Sequence, residues 1–367
     1  MNTQLMCFAD NFDQIKSAFK DYMFQYLTEV EGREGYSFEK GEMTFAEKEK
    51  KINDAMLKEI ARLSQVSFSN DGFVSKEMWA SHPTLKWASF AVVNSLIDMV
   101  LPDVLDKSIG MYTDTRFINY GDSAAFNVEP NDLFYVSKAG RSQRTVDFQR
   151  QWEGQVTVIP ENREITVYVS LYRVLCGMDS LAKFVSKAIM SVEANITREV
   201  YTAFATAMEA LPDTPVDGQL KVAGYSQNSA VKLAQTVSAW NNGQKAVFVG
   251  TQLAVQNILP NDANYRYFLD SEYARLGYMK TAFGFDVIVL PQLADWENPF
   301  KTLLRDDRIY VLSPSSQKLI KLVYEGNSRT NSMSAYDAAN LVEQTTIYKS
   351  YGTAVATNSI AGVITLA

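Results

Sequence analysis

The chain has 367 residues, 47% hydrophobic and 21% charged, a composition with ample apolar material for folded cores. A formal charge of −7 argues against a protein that holds nucleic acid through its overall charge. Two cysteines, Cys7 and Cys176, cannot build a disulfide framework or a zinc site. The opening MNTQLMCFADNFDQ puts acids where a signal peptide needs a basic start and an apolar run, so the chain reads as made and kept in a reducing cytoplasm.

Residues 3 to 30 place Phe8, Phe12, Ile15, Phe19, Met23, Tyr26 and Leu27 at steps of three and four, which predicts an amphipathic helix ending at Gly32. Thr44-Phe45-Ala46-Glu47 then has the form of a capping box. The helix it opens runs through Ile52, Met56, Ile60 and Leu63 and carries a charged opposite face. A third helical region spans about 85 to 106, after Pro83. Its most apolar part, 87 to 102, is interrupted by Asn94 and Asp98 and is therefore not read as a membrane span. These opening helices have apolar faces and few strand signals, so Phe8, Phe12, Phe19, Met56, Ile60 and Leu63 are expected to need a partner surface.

From Tyr112 the pattern is extended. QVTVIP, a turn at Glu161-Asn162-Arg163, and EITVYVSLYRVL follow one another, and Ile165, Val167, Val169 and Leu171 alternate with polar neighbours as in a two-faced strand. Between Gly140 and Gly154 there is little to bury. Lys138, Arg141, Arg144 and Arg150 stand there among glutamines, in either a long solvated loop or a hairpin that projects to lie on a neighbour.

Residues 179 to 211 show apolar steps of three and four without a break, from Leu181 through Val185, Ile189, Val192, Ile196, Val200, Phe204 and Met208 to Leu211. Asp179 or Ser180 can cap this helix and Pro212 stops it. At 1.5 Å per residue it is roughly 45–50 Å long, either a long core helix or a strut for several subdomains. Helix and strand then alternate as in a small mixed α/β unit. A helix spans about 228 to 241, KAVFVG is a strand, and a helix runs from Thr251 to Pro260. FDVIVLP and RIYVLSP are further strands. KLIKLVYEG, LVEQTTIYKSYGTAVA and IAGVITLA return to extended chain.

No catalytic constellation accompanies these elements. His82 is the only histidine, beside Pro83, so a His-rich metal site is excluded and a Ser–His pair would have to use this residue. There is no GxxxxGK[ST] or GxGxxG loop. The strand before Thr251 lacks the glycines that let a phosphate approach a helix N-terminus. Asp306-Asp307 and Asp270/Glu272 have no evident partners and read as surface or interface charges. The basic run has one aromatic, Phe148, which is weak for nucleic-acid stacking and better suited to an acidic patch on a partner.

The order of elements resembles the major capsid protein of tailed bacteriophages. The residues that carry this are the spine-like DSLAKFVSKAIMSVEANITREVYTAFATAM, then KAVFVGTQLAVQNILP and LGYMKTAFGFDVIVLP. The resemblance implies an α+β, Hong Kong 97-like capsid fold with five segments. These are an N-terminal helical arm (1–118), an extended-loop hairpin with a peripheral-domain strand (119–176), the spine helix of the peripheral domain (177–211), an axial domain (212–314) and C-terminal strands closing the peripheral domain (315–367).

The resemblance also implies a non-enzymatic structural protein without cofactor or metal. It would assemble with itself as hexamers and pentamers into an icosahedral virion shell, built in the host cytoplasm. Packaged double-stranded DNA would be held by weak contact, with no membrane involved and with portal, scaffolding or decoration proteins as further partners. Lys138, Arg141, Arg144 and Arg150, and the apolar arm residues named above, would make inter-subunit contacts. An encapsulin-like shell around an enzyme cargo has the same fold, and a cytoplasmic α/β enzyme using 244 to 312 is the alternative from another class.

Overall fold

Apolar steps of three and four give way to alternation at Thr113, and the backbone follows that change. A computed structural model describes residues 12–33, 36–39, 43–66, 82–108, 113–129, 136, 153–167, 179–211, 220–259, 273, 276–290, 292, 294, 300–313, 317–333, 344–356 and 358–366. They form an α+β chain. Three helices come first: α1 (Phe12–Glu29), α2 (Phe45–Ser64) and α3 (Pro83–Ser108). Strands β1 (Thr113–Ile118), β2 (Ala124–Val128), β3 (Gly154–Val158) and β4 (Glu161–Val167) precede the long helix α4 (Leu181–Glu209). Then come β5 (Lys221–Ala223), α5 (Gln227–Trp240), β6 (Val247–Thr251), α6 (Gln252–Val255), β7 (Thr281–Ala282), β8 (Phe285–Leu290) and β9 (Arg308–Leu312). The chain ends with β10 (Ile320–Met333), β11 (Gln344–Val355) and β12 (Gly362–Thr365).

Two compact units divide the chain, and both draw on α4, β10 and β11. One comprises Met1–Ser123, Ile159–Thr197 and Leu322–Gly352; the other comprises Ala124–Val158, Arg198–Lys321 and Thr353–Ala367. In the first, α1, α2 and α3 pack on one another. The capping box at α2 forms as its residues require: the Thr44 hydroxyl accepts from Glu47 N–H, and the Glu47 carboxylate accepts from Thr44 N–H at 3.0 Å. Lys48 of α2 bonds both Asp21 and Gln25 of α1. The first unit's sheet has the order β1-β10-β11-β4.

One reading of the extended region needs correction. Glu161-Asn162-Arg163 is the start of strand β4, paired antiparallel with β11 from Tyr351↔Glu161 to Thr345↔Val167, and not a turn. β3 consequently pairs with β2, from Ala124↔Val158 to Val128↔Gly154, and makes no hairpin with β4. Only Ile159 and Pro160 separate the two strands, too short a link to be read from propensity as a change of partner.

The second unit is built on a six-stranded sheet in the order β5-β12-β9-β6-β8-β7. β6 runs parallel to β8 and antiparallel to β9, and β12 runs parallel to β5 and antiparallel to β9. The last strand therefore lies in this sheet and departs from the expectation that all returning strands close one domain. Alternation separates two apolar faces. Phe248, Val287, Ile309, Val311 and Ile364 meet Ala230, Leu233, Ala234 and Val237 of α5 and Ala254 and Val255 of α6. Val249, Tyr310 and Val363 meet Phe204 and Met208 of α4. Gly362 makes the α5 contact possible, because a Cβ there would lie 2.7 Å from Leu233 Cδ1.

Candidate functional site

Among the described residues, those on which catalysis could have rested are not brought together. His82 is exposed just ahead of α3, and among the described residues no group of three or more His, Cys, Asp or Glu is placed to hold a metal. Cys7 and Cys176 lie outside the described residues, as do Asp270 and Glu272.

At Thr251 the helix is a single turn, Gln252–Val255, shorter than its expected run to Pro260. The Thr251 hydroxyl accepts from Ala254 N–H at 3.3 Å and donates to Asp306 at 2.6 Å. Asp306 also accepts from Gln292, while Asp307 meets Arg305. These two acids thus have partners in their own chain, and the Asp307 side chain is still 44% exposed, a paired surface charge. Gly250 serves packing: a Cβ there would lie 3.2 Å from Val255 Cγ2 and from the Arg308 carbonyl.

The arm residues also differ from expectation. Phe12, Phe19, Met56 and Ile60 are all buried at or below 1% exposure, and Leu63 is partly buried. Their apolar faces already have partners within the same chain, so the need for a neighbour's surface is not what buries them. Phe8 lies outside the described residues. Polar contacts tie the same region to the long helix. The Arg33 guanidinium donates to both Glu193 oxygens at 2.8 Å, with Glu193 buried. Asn53 of α2 accepts from Ala182 N–H at 2.8 Å and donates to Ser180 Oγ, while Ser180 Oγ accepts from Lys183 N–H. The start of α4 is therefore capped from its own sequence and from α2. Burial first, and then the Glu193 charge, push the Tyr36 hydroxyl above its ordinary range.

A second polar junction lies between α3 and the four-stranded sheet. Asn94 and Asp98 are one turn apart and present adjacent side chains. Asp98 accepts from Ser328 N–H, from Ser328 Oγ at 2.6 Å and from Lys349 Nζ at 2.5 Å; Asn94 accepts from Thr330 Oγ1 at 2.5 Å. The residues that interrupt the apolar run thus fasten the helix to β10 and β11. By length and composition alone Pro83–Asp106 could cross a membrane, but 61% of its most apolar window is buried inside the protein. Beside this junction a cavity of about 320 Å³ is lined by Ile97, Arg163, Ser191, Asn195, Lys349 and Tyr351 among others. Of its polar groups, Lys349 bonds Asp98, Asn195 bonds Tyr351, Ser191 bonds the Lys187 carbonyl and Arg163 pairs with Glu161.

Sequence patterns carried partial signals for these junctions. Glu193 falls on the apolar stripe between Ile189 and Ile196 and is buried, and Asn94 and Asp98 break an apolar run at i and i+4 and are half-buried. Nothing local indicated Arg33, Asn53 or Lys349 as their partners. The basic run Lys138, Arg141, Arg144 and Arg150 lies outside the described residues; the structure describes only the paired β2–β3 base from which that segment departs.

No family model and no curated protein matches the chain. Among solved structures it is similar to the capsid of a native GTA particle, with TM-score 0.48 and 13% identity over 71% of this chain and 90% of that one. It is also similar to the capsid of the cyanophage P-SCSP1u, with TM-score 0.42 and 14% identity over 70% and 86% of the two chains. The mature capsid of bacteriophage PhiM1 gives TM-score 0.38 and 10% identity over 70% and 85%.

Proposed function

We propose that this chain is a structural protein, a major capsid protein of the Hong Kong 97-like type, which assembles with itself into hexamers and pentamers of an icosahedral shell around the double-stranded DNA of a tailed phage. The observation that carries this reading is the order of elements: three leading helices, a ribbon base at 124–158, a 29-residue helix, a six-stranded mixed sheet, and long strands that return to pair with β1 and β4. It is the order that the sequence resemblance implies. In this reading α1–α3 are the arm and the chain beyond the β2–β3 base is the extended loop. α4 is the spine, the four-stranded sheet belongs to the peripheral domain, and the six-stranded sheet is the axial domain.

Lys138, Arg141, Arg144 and Arg150 then reach carboxylates on adjacent subunits. Arm contacts with neighbours fall to its outer side, because Phe12, Phe19, Met56 and Ile60 are already covered. DNA is enclosed with little direct binding, as expected for a chain of charge −7. Portal, scaffolding or decoration proteins complete the set of partners.

The test is sedimentation of the expressed full chain, followed by analysis of what the fast-sedimenting material encloses. Shell-sized particles, filled with DNA when isolated from infected cells, are the expected result. A small species of fixed size under all conditions contradicts the reading, and a shell filled with one enzyme replaces phage capsid by nanocompartment.

A further inference from the structure

The turn that ends α5 holds the one Asn-Gly pair in the sequence, Asn242-Gly243. It closes on a Schellman pattern. Asn241 is the cap, Asn242 takes the left-handed conformation with φ 56°, and the Gly243 N–H donates to the Ser238 carbonyl at 2.9 Å. Asparagine tolerates that conformation better than most residues with a side chain, so backbone geometry accounts for Asn242 itself. The glycine after it adds a reactive possibility. Both residues are exposed, and a Cβ added at Gly243 would meet nothing within 4 Å.

Beneath this exposed pair the turn is anchored. Asn241 is 1% exposed, and its Nδ2 donates to the carbonyls of Val237 at 2.7 Å and Ile360 at 2.8 Å. Its Oδ1 accepts from the Ile360 N–H at 2.8 Å. The Gln244 N–H donates to the Asn241 carbonyl at 3.1 Å. One buried amide thus ties the end of α5 to the segment that leads into β12, and the bond from Gly243 to Ser238 belongs to the same turn.

We propose that Asn242 is a site of spontaneous deamidation, gated by opening of this turn. The backbone nitrogen of Gly243 attacks Cγ of Asn242, so the N–Cγ bond forms and the Cγ–Nδ2 bond breaks. The proton lost from the Gly243 N–H leaves with the amide nitrogen as ammonia. Water then opens the five-membered imide at either carbonyl, giving aspartate or isoaspartate, with no oxidation or reduction. Glycine favours the closure because no side chain crowds the attacking nitrogen. In the closed turn the proton that must leave is held by the Ser238 carbonyl, so ring closure waits on fraying. Helix ends are where such local opening needs least free energy. Either product puts a negative charge at the C-terminal end of α5, whose last turn has no basic residue to offset it. Isoaspartate also lengthens the backbone between Asn241 and Gly243 and displaces Gly243 from Ser238. The inference concerns the second unit alone and holds whether or not the chain builds shells.

Peptide mapping by mass spectrometry tests it, on the full chain kept in mildly alkaline buffer, folded and in guanidinium chloride. In the unfolded chain Asn242 should convert at least tenfold faster than Asn327, which precedes a serine. It should also convert at least tenfold faster there than in the folded chain. Asn241→Ala should speed conversion at Asn242 at least threefold in the folded chain and leave the unfolded rate unchanged. Should that variant fail to fold, guanidinium below the unfolding transition takes its place and should raise the rate in the parent chain. Equal rates at Asn242 and Asn327 in the unfolded chain would overturn the site. Equal rates at Asn242 in the folded and unfolded chain would overturn the gate, as would a loosened turn, by either route, that converts no faster than the parent.

Discussion

The two units solve the same problem, covering a sheet with helices, by different means. The six-stranded sheet is apolar on both faces at its centre, and its helices are held by close fit: Leu233 on Gly362, Val255 on Gly250, Phe204 edge-on to Tyr310 at 4.9 Å. The four-stranded sheet is joined to α3 through a half-buried carboxylate, an amide, a buried ammonium and two hydroxyls, and Arg33, just beyond α1, ties that region to Glu193 of α4. Apolar packing is non-directional and tolerates many registers, whereas a hydrogen-bonded charge accepts few. The polar unit is therefore the one in which single substitutions should cost most, and the one whose helix–sheet register is set by identifiable atoms.

Breaking the Asp98 junction should give the largest effect. Asp98→Ala leaves Lys349 buried without its carboxylate and the Ser328 amide without its acceptor, at a cost of about 3–5 kcal/mol in chemical denaturation. The paired replacement Asp98→Leu with Lys349→Met sharpens the comparison. If the pair serves register more than stability, the double variant should recover most of the loss. A double variant as unstable as the single one would mean that the hydrogen bonds to Ser328, and not the charge pair, carry the junction.

In the apolar unit the corresponding experiment is Gly362→Ala. The added methyl meets Leu233, and overpacking of this kind costs about 1–3 kcal/mol. A melting curve unchanged by this variant would show that α5 can move away from β12 freely.

The smallest effect is expected at the α2 cap, where Thr44→Ala should cost about 1 kcal/mol. The backbone N–H of Thr44, and then its hydroxyl, hold the Glu47 carboxyl below its usual range. A depressed folded value means that the Glu47 contribution is present above its ordinary pKa and is lost as pH falls through the lowered one. The destabilisation by Thr44→Ala should accordingly narrow in acid; a difference that widens below pH 4 would contradict this account of the cap.

Element types were legible wherever a single period ran long enough, as in α4, α3 and the alternating strands of the six-stranded sheet. The capping box at Thr44 was legible because all its parts lie within four residues. Partners were not. Glu161-Asn162-Arg163 has the composition of a turn, yet it is held extended by Tyr351, Ser350 and Lys349, nearly two hundred residues away. Asp98 could be seen to interrupt an apolar run, but its ligands Ser328 and Lys349 are 230 and 251 positions distant. The arm's apolar stripes were legible as stripes, while the surface that buries them depends on tertiary packing alone.

On the proposed reading the charges of Arg141, Arg144 and Arg150 act in assembly, and changing them should leave both units untouched. Reversing Arg141, Arg144 and Arg150 to glutamate should leave the melting profile as it is and stop or misdirect assembly. Normal shells from this triple variant would remove the segment from the lateral contact.

The central claim is that this chain is a shell subunit, and electron microscopy of particles formed by the full-length protein tests it most directly. Closed icosahedral particles whose reconstruction resolves rings of five and six copies are the predicted result. Folded protein that stays monomeric at high concentration, and yields no shells from infected cells, would contradict it.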